Sequence, residues 1–274
     1  MRGARFAYAL CTGAGKDATL ALHRARADGL DVRIALNLYD ARTERVAFHG
    51  TRRALVEEHA RALGLGPLLA PVEEGQFEQT FLALLDELAV RGADGVIFGN
   101  IHLADVRAWY EERVTAAGLE HVEPLWGGAP GELAREVVDL GYRAIVVSVD
   151  LEQGDGSWLG RAVDSELVAE IERHGADACG ERGEYHTFVW DGPGFVRPVA
   201  CRLGRMVSEK SHRLVDLLPA AAGTSSAGHA RGHRPTAPAP TASRTDSLGR
   251  PARGGDAGAP TGSPSAPRSR RAGG

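Results

Sequence analysis

The chain has 274 residues, 43% of them apolar and 25% charged, with a formal net charge of −4. This composition suits a globular protein with a sizeable core and room for one large domain or two smaller ones. It excludes a membrane span, since no stretch approaches ~18–20 apolar residues, and a disulfide framework, since the three cysteines form no CxxC.

The average charge hides an asymmetry. Residues 223–274 carry eight Arg against two Asp, so this tail is +6 and the rest of the chain −10. An acidic body argues against a dedicated nucleic-acid surface. Only two lysines, Lys16 and Lys210, stand against 30 arginines. The basic start Met1–Arg5 is followed by an apolar run too short for a signal peptide, and the expected location is the cytoplasm.

The apolar run at residues 6–11 predicts a buried strand, ended by glycines. Apolar residues at helical spacing follow over 17–27, stopped by Gly29. A second strand is predicted at 32–38, a helix at 52–63, a short strand at 68–72, a helix at 77–90, a strand at 95–98 and a helix at 103–117. Strands alternating with helices of ten to fifteen residues predict an α/β fold with a doubly wound parallel sheet. Ligands of such sheets bind beyond the carboxyl ends of the strands.

After Trp126 the texture changes, with a helix at 132–140, a strand at 143–149, a helix at 165–174 and a polar, aromatic stretch at 179–195. A smaller C-terminal α/β subdomain is expected there. From about residue 221 the chain lacks large apolar residues, cannot offset its ordering entropy by burial, and reads as a disordered basic tail. The expected division is 1–125, 126–221 and 222–274.

The turn Gly13-Ala14-Gly15-Lys16-Asp17 joins the first strand to the first helix. Backbone N–H groups and the helix dipole favour an anion there. The turn is not a Walker A loop, because Leu10 stands where that motif has Gly and Asp17 where it has Ser or Thr. Gly13, Gly15 and Ala18 satisfy G-x-G-x-x-A, a dinucleotide fingerprint, although the acidic candidate Asp40 lies farther on than that reading expects. Gly15-Lys16-Asp17 also fits the PP-loop, which grips the pyrophosphate of ATP. Its serines are replaced by Gly13 and Ala18 and one glycine by Ala14, with Thr12 and Thr19 one residue outward. From the turn alone the PP-loop, the dinucleotide loop and a structural bend all stay open.

The run Cys179-Gly180-Glu181-Arg182-Gly183-Glu184-Tyr185-His186-Thr187-Phe188-Val189, followed by Asp191-Gly192-Pro193, resembles the signature of the diphthine–ammonia ligase family. His49-Gly50, Gly99 with Asp105-Val106-Arg107-Ala108-Trp109, Glu123-Pro124-Leu125-Trp126 and Trp158-Leu159-Gly160-Arg161 agree in order and spacing. The resemblance covers residues 6–195. It implies a HUP-type sheet, with 1–125 as a PP-loop ATP-binding domain. It also implies a reaction in which ATP adenylates a carboxylate, pyrophosphate leaves and ammonia attacks to give an amide.

In that family the acceptor is diphthine on elongation factor 2; more generally the partners are ammonia and a small-molecule or protein carboxylate. The chain departs from the family in the loop and at Asn100, where members often have Asp. The Arg-for-Lys bias suggests a GC-rich bacterial source. Under this reading Thr12, Gly13, Ala14, Gly15, Lys16, Asp17, Thr19, Asn37, His49 and Gly99 contact ATP, and Asp17 binds Mg²⁺ or caps the helix.

Lys16, Asp17, Glu184 and His186 are the expected catalytic residues. If residues 184–188 are extended, Glu184 and His186 share one face and can act together on ammonia. Asn100, Asp105, Arg107, Glu181, Tyr185 and Thr187 are expected at the acceptor, with a structural Asp105–Arg107 ion pair as the alternative for those two. His102 and His121 read as solvated surface. A non-catalytic nucleotide-binding regulator and an NAD(P)-dependent oxidoreductase are the competing functions.

Overall fold

The computed structural model describes residues 7–47, 49–209 and 211–220. Phe6, Lys210 and the expected disordered tail lie outside the described residues. Five strands, β1 (Tyr8–Cys11), β2 (Val32–Asp40), β3 (Gly66–Val72), β4 (Gly95–Ile97) and β5 (Glu120–Val122), form a parallel sheet in the order β3-β2-β1-β4-β5. The helices α1 (Lys16–Ala27), α2 (Arg53–Ala62), α3 (Phe77–Val90) and α4 (Ala104–Ala116) alternate with them. This is the predicted parallel α/β arrangement, with one addition: β5 carries no apolar run and is recruited by pairing with β4.

The two-residue period of the strands sorts their side chains. Ala9, Leu36 and Val96 pack against Phe81, Leu85 and Leu88 of α3 and Val114 of α4. Leu10, Ala35 and Ile97 join the other core, with α1, α2 and the C-terminal half. Leu20, Ala21 and Leu22 are buried in succession, so α1 is covered on several sides.

The rest of the described residues supply α5 (Pro130–Asp139), β6 (Arg143–Asp150), α6 (Ser165–His174), β7 (Tyr185–Asp191), β8 (Cys201–Glu209) and β9 (His212–Pro219). Its four strands make an antiparallel sheet, β7-β6-β9-β8. The hairpin β8–β9 was not predicted: Gly204 and the flanking Arg202 and Arg205 break any apolar alternation.

The chain leaves β1 toward β2 on one side and reaches β4 on the other, so the sheet's order reverses between β1 and β4. The carboxyl ends of those two strands are where an open parallel sheet forms its crevice. Gly99 follows β4 and lies against the first turn of α1. A Cβ there would stand 2.7 Å from the Ala18 nitrogen and 2.8 Å from the Asp17 carbonyl carbon, which only glycine avoids.

Candidate functional site

The glycine turn sits at the reversal point, between β1 and α1. The Ala14 N–H donates to Thr12 Oγ1 at 2.9 Å, and Asn37 Nδ2 donates to the Thr12 carbonyl at 2.8 Å, which ties the turn to β2. Ala14 has φ of 67°, the left-handed conformation, which costs a non-glycine residue about 1–2 kcal/mol. Gly15 is the N-cap of α1 and brings no side-chain acceptor.

That acceptor comes from β7. The Lys16 N–H donates to Thr187 Oγ1 at 3.1 Å, and the Val189 N–H donates to the Ala14 carbonyl at 2.9 Å. The two stretches singled out in the sequence thus meet. Among the described residues the N–H groups of Gly13 and Gly15 make no hydrogen bond, leaving donors free at the positive end of a helix.

Lys16 is only 2% exposed. Its Nζ lies 3.0 and 2.9 Å from the two Asp17 carboxylate oxygens, donates to the Cys179 carbonyl, and sits 4.9 Å from the centre of the Tyr185 ring. Burial opposes its charge, but Asp17, with smaller contributions from Tyr185 and Cys179, holds its pKa well above the ordinary lysine range. Tyr185 itself is fixed by a 2.5 Å hydrogen bond from its hydroxyl to the Ala178 carbonyl. The Thr19 hydroxyl, expected near the missing serine position, donates instead to the Gly15 carbonyl at 2.8 Å and lies 3.5 Å from His59 Nε2. A threonine in the first turn of a helix reaches back to the carbonyl four residues earlier.

His49 covers the turn. Its Cε1 would lie 3.4 Å from a Cβ on Gly13 and 3.2 Å from one on Gly15. Its ring stacks on His186, with centroids 4.3 Å apart. Burial lowers the His49 pKa to about 4, and the Lys16 charge adds to this. Burial likewise holds His186 well below its usual range, with His49, Lys16 and His212 contributing. Both imidazoles are therefore neutral at pH 7.

The expected Glu184–His186 pair does not form. Glu184 precedes β7, and its buried carboxylate accepts the N–H groups of Asp177 and Arg182, each at 3.1 Å. Alternation along a strand decides which face a side chain takes, but loop amides had already engaged this carboxylate. Glu181 reaches the other wall of the turn, where Oε1 accepts the Ile101 N–H at 2.9 Å. Burial raises its carboxyl pKa, the Ile101 N–H opposes this, and the Asp17 charge raises it further.

Beyond Gly99, Asn100 Nδ2 donates to Glu123 Oε1 at 2.8 Å. Glu123 Oε2 is 3.2 Å from Arg107 Nε, and His121 Nε2 is 3.3 Å from Glu123 Oε1. The Arg107 guanidinium lies over the Trp126 ring, 4.6 Å from its centre. Arg107 thus pairs with Glu123 and, at 3.6 Å, with Glu111, whereas Asp105 is exposed on the first turn of α4 and no Asp105–Arg107 ion pair forms. The solvated-surface reading of the two histidines is also corrected: the His121 side chain is 3% exposed, and His102 Nε2 lies 2.5 Å from Asp177 Oδ2. Nothing in the sequence Glu-Pro-Leu-Trp marks the Glu123 carboxylate as buried, so the sequence does not single it out.

On the β2 side, the segment after β2 and the strands β8 and β9 border a cavity of about 500 Å³, lined by Arg42, Val46, His212 and Leu214 among others. Asp40, the acidic residue a dinucleotide reading needs, accepts the Thr43 N–H at 2.6 Å. Among the described residues no group of three or more His, Cys, Asp or Glu could hold a metal ion, and no helix is long and apolar enough to cross a membrane.

Sequence profiles of the diphthamide synthase N-terminal and C-terminal domains match residues 6–121 and 129–212. The bovine diphthine–ammonia ligase is 24% identical over 181 residues, which cover 65% of this chain and 66% of that protein. The mouse protein of the same name is 27% identical over 169 residues, covering 60% and 61%. The matched stretch therefore spans just under two thirds of these relatives. A solved structure described as a predicted subunit of tRNA methyltransferase from Methanocaldococcus jannaschii has a TM-score of 0.38 at 14% identity, covering 68% of this chain and 96% of that one.

Proposed function

Because the chain belongs to the diphthamide synthase family, we propose that it is an ATP-dependent ligase. It adenylates an acceptor carboxylate, releases AMP and pyrophosphate, and transfers ammonia to give an amide. The observation that carries this reading is the pair of hydrogen bonds from β7 to the glycine turn, Lys16 N–H to Thr187 Oγ1 and Val189 N–H to the Ala14 carbonyl. They join the turn to the Cys179–Val189 run.

In this reading the free N–H groups of Gly13 and Gly15, beside Ala14, receive phosphate oxygens at the N-terminus of α1. Thr12 and Asn37 hold the turn in shape, Gly99 lets β4 approach it, and His49 borders the nucleotide with the cavity beyond. Thr19 supports the turn from inside the helix. Lys16 stabilises the charge that builds on departing pyrophosphate, a preorganised electrostatic contribution. Asp17 is the residue that would hold Mg²⁺. Its carboxylate is 25% exposed at the helix start, and a hard oxygen donor beside phosphates suits that ion. Mg²⁺ there would neutralise phosphate charge.

His186, neutral beside His49, accepts a proton from the attacking nitrogen, and Glu184 is a positioning residue that shapes the loop before β7. Glu181, Tyr185 and Thr187 wall the turn on the acceptor side, with Asn100, Asp105 and Arg107 beyond them. We place nucleotide binding in residues 1–125 and much of the acceptor wall in 126–221. The acceptor is diphthine where the relatives' substrate carries over, then borne on elongation factor 2, and three cysteines without a CxxC pair suit the reducing cytoplasm.

A second reading, a nucleotide-binding regulator without turnover, is favoured by the engagement of Lys16 with Asp17 and the Cys179 carbonyl. Incubation with ATP, Mg²⁺, ammonium and a diphthine-bearing acceptor separates the two. Acceptor-dependent AMP and pyrophosphate in equal amounts, lost in Lys16→Ala, support the ligase. ADP as product, or ATP binding without turnover, overturns it.

A further inference from the structure

The two sides of the glycine turn differ. On the β2 side lie His49 and the cavity. On the β4–β5 side the backbone of Gly99 touches the start of α1, and the next residue, Asn100, begins a chain of polar contacts through Glu123 to Arg107. This second group occupies the carboxyl ends of β4 and β5, the other half of the crevice that the strand reversal creates.

Its geometry is that of a cation packed between a carboxylate and an aromatic ring. The Glu123 side chain is 3% exposed and its Oε2 lies 3.2 Å from Arg107 Nε, an ion pair in which neither buried atom makes a hydrogen bond, whereas the Arg107 side chain is 34% exposed. The guanidinium plane rests on Trp126. Among the described residues the Arg107 side chain makes no hydrogen bond, and its Nε, unlike its two terminal nitrogens, is a buried atom without a hydrogen-bond partner. One edge of a planar fork thus lies against Glu123, the Trp126 ring lies beneath it, and the other edge carries two terminal nitrogens without hydrogen-bond partners. A planar fork of N–H donors matches the two oxygens of a carboxylate, and a fork already held in place gives up little rotamer freedom on binding.

We propose that Arg107 binds the carboxylate of the acceptor through its two terminal nitrogens, with Glu123 and Trp126 as positioning residues, and that it distinguishes the acid from the amide made of it. This rests on the ligase reading given above and assigns a residue within it. The carboxylate offers two charged oxygens to the fork, one to each nitrogen. The amide offers a single neutral oxygen and turns an NH₂ donor toward the other nitrogen, so the product is bound more weakly and leaves.

The test measures binding to the full chain without ATP. The probes are a peptide carrying diphthine and the same peptide carrying the amide. Wild type is expected to prefer the acid by about tenfold or more, the worth of one charge-assisted hydrogen bond. In Arg107→Gln, acid affinity falls more than amide affinity by a similar factor, so the ratio drops to near one. Retained amide binding also shows that the variant is folded, despite leaving Glu123 without its cation.

Arg107→Lys keeps the charge and loses the fork, and an intermediate ratio is expected; should the glutamine variant not fold, this variant decides. No preference in wild type, or the full preference in Arg107→Lys, overturns the assignment. A ratio that depends on Arg107 in a protein that forms no AMP removes the ligase and leaves Arg107 as a carboxylate site. AMP formation without the ratio removes Arg107 alone.

Discussion

Replacing Thr187 by valine keeps the outline of the side chain and deletes one oxygen. That oxygen is 3.1 Å from the Lys16 nitrogen, the first N–H of α1, and Gly15 brings no other cap. Both residues are buried, so water does not replace it. A buried N–H without a partner costs about 1–3 kcal/mol, and loss of a helix cap costs about 0.5–2 kcal/mol. The expected loss for Thr187→Val is therefore about 2 kcal/mol, or about 4–8 °C in Tm for a domain of this size.

Urea unfolding at pH 7.5 measures it, and Thr187→Ser should recover most of the deficit. With saturating ATP the deficit should shrink, because a phosphate oxygen offers the Lys16 N–H another acceptor. A valine variant within about 0.5 kcal/mol of wild type, below the cost of an unmade buried bond, refutes the reasoning. So does a serine variant as unstable as the valine one.

Two further outcomes follow from packing and burial. Gly99→Ala places a Cβ 2.7 to 2.9 Å from backbone atoms of Asp17 and Ala18, so the strand end or the helix start must move, at about 1–3 kcal/mol in denaturant unfolding; an alanine variant of wild-type stability contradicts that close approach. His59 is buried, and burial lowers its pKa to about 3, whereas the unfolded side chain titrates near about 6.5. Between those values the unfolded chain binds a proton that the native one refuses. Stability therefore falls as pH drops through this window, by up to about 1.4 kcal/mol per pH unit, with no contribution above it. His59→Leu should flatten the slope between pH 6 and 4 by about that amount, and an unaltered slope shows that His59 does not enter it.

The parallel half was legible because its strands are apolar runs and glycines such as Gly29 and Gly118 close its helices. Glu120–Val122 was not, since one apolar residue in three carries no period, and only the free edge of β4 makes it a strand. The turn was legible because its residues are contiguous. The contacts that complete it were not: Thr187 and Lys16 are 171 positions apart, and Asn100 and Glu123 are 23 apart. Side-chain type says that a hydroxyl or carboxylate will find a partner, not which one. Glu184 shows the difference, since a strand period predicted its face while two loop amides decided its use.

Ala14 and Asn100, the expected departures from the family pattern, are matched by their surroundings. Ala14 holds a left-handed backbone at a cost of about 1–2 kcal/mol. Thr12 takes its N–H and Val189 donates to its carbonyl, two hydrogen bonds worth about 0.5–1.5 kcal/mol each, enough to offset that strain. Asn100 is matched in the same way. An aspartate there would set a second carboxylate 2.8 Å from that of Glu123, whereas the amide donates to it. Glu123 then remains paired with Arg107, and an uncharged residue beside the turn leaves a partly exposed cation on that side of the crevice. An Asn here, where an Asp would add a negative charge, thus moves the local charge balance toward binding an anion, which is the charge an acceptor carboxylate carries.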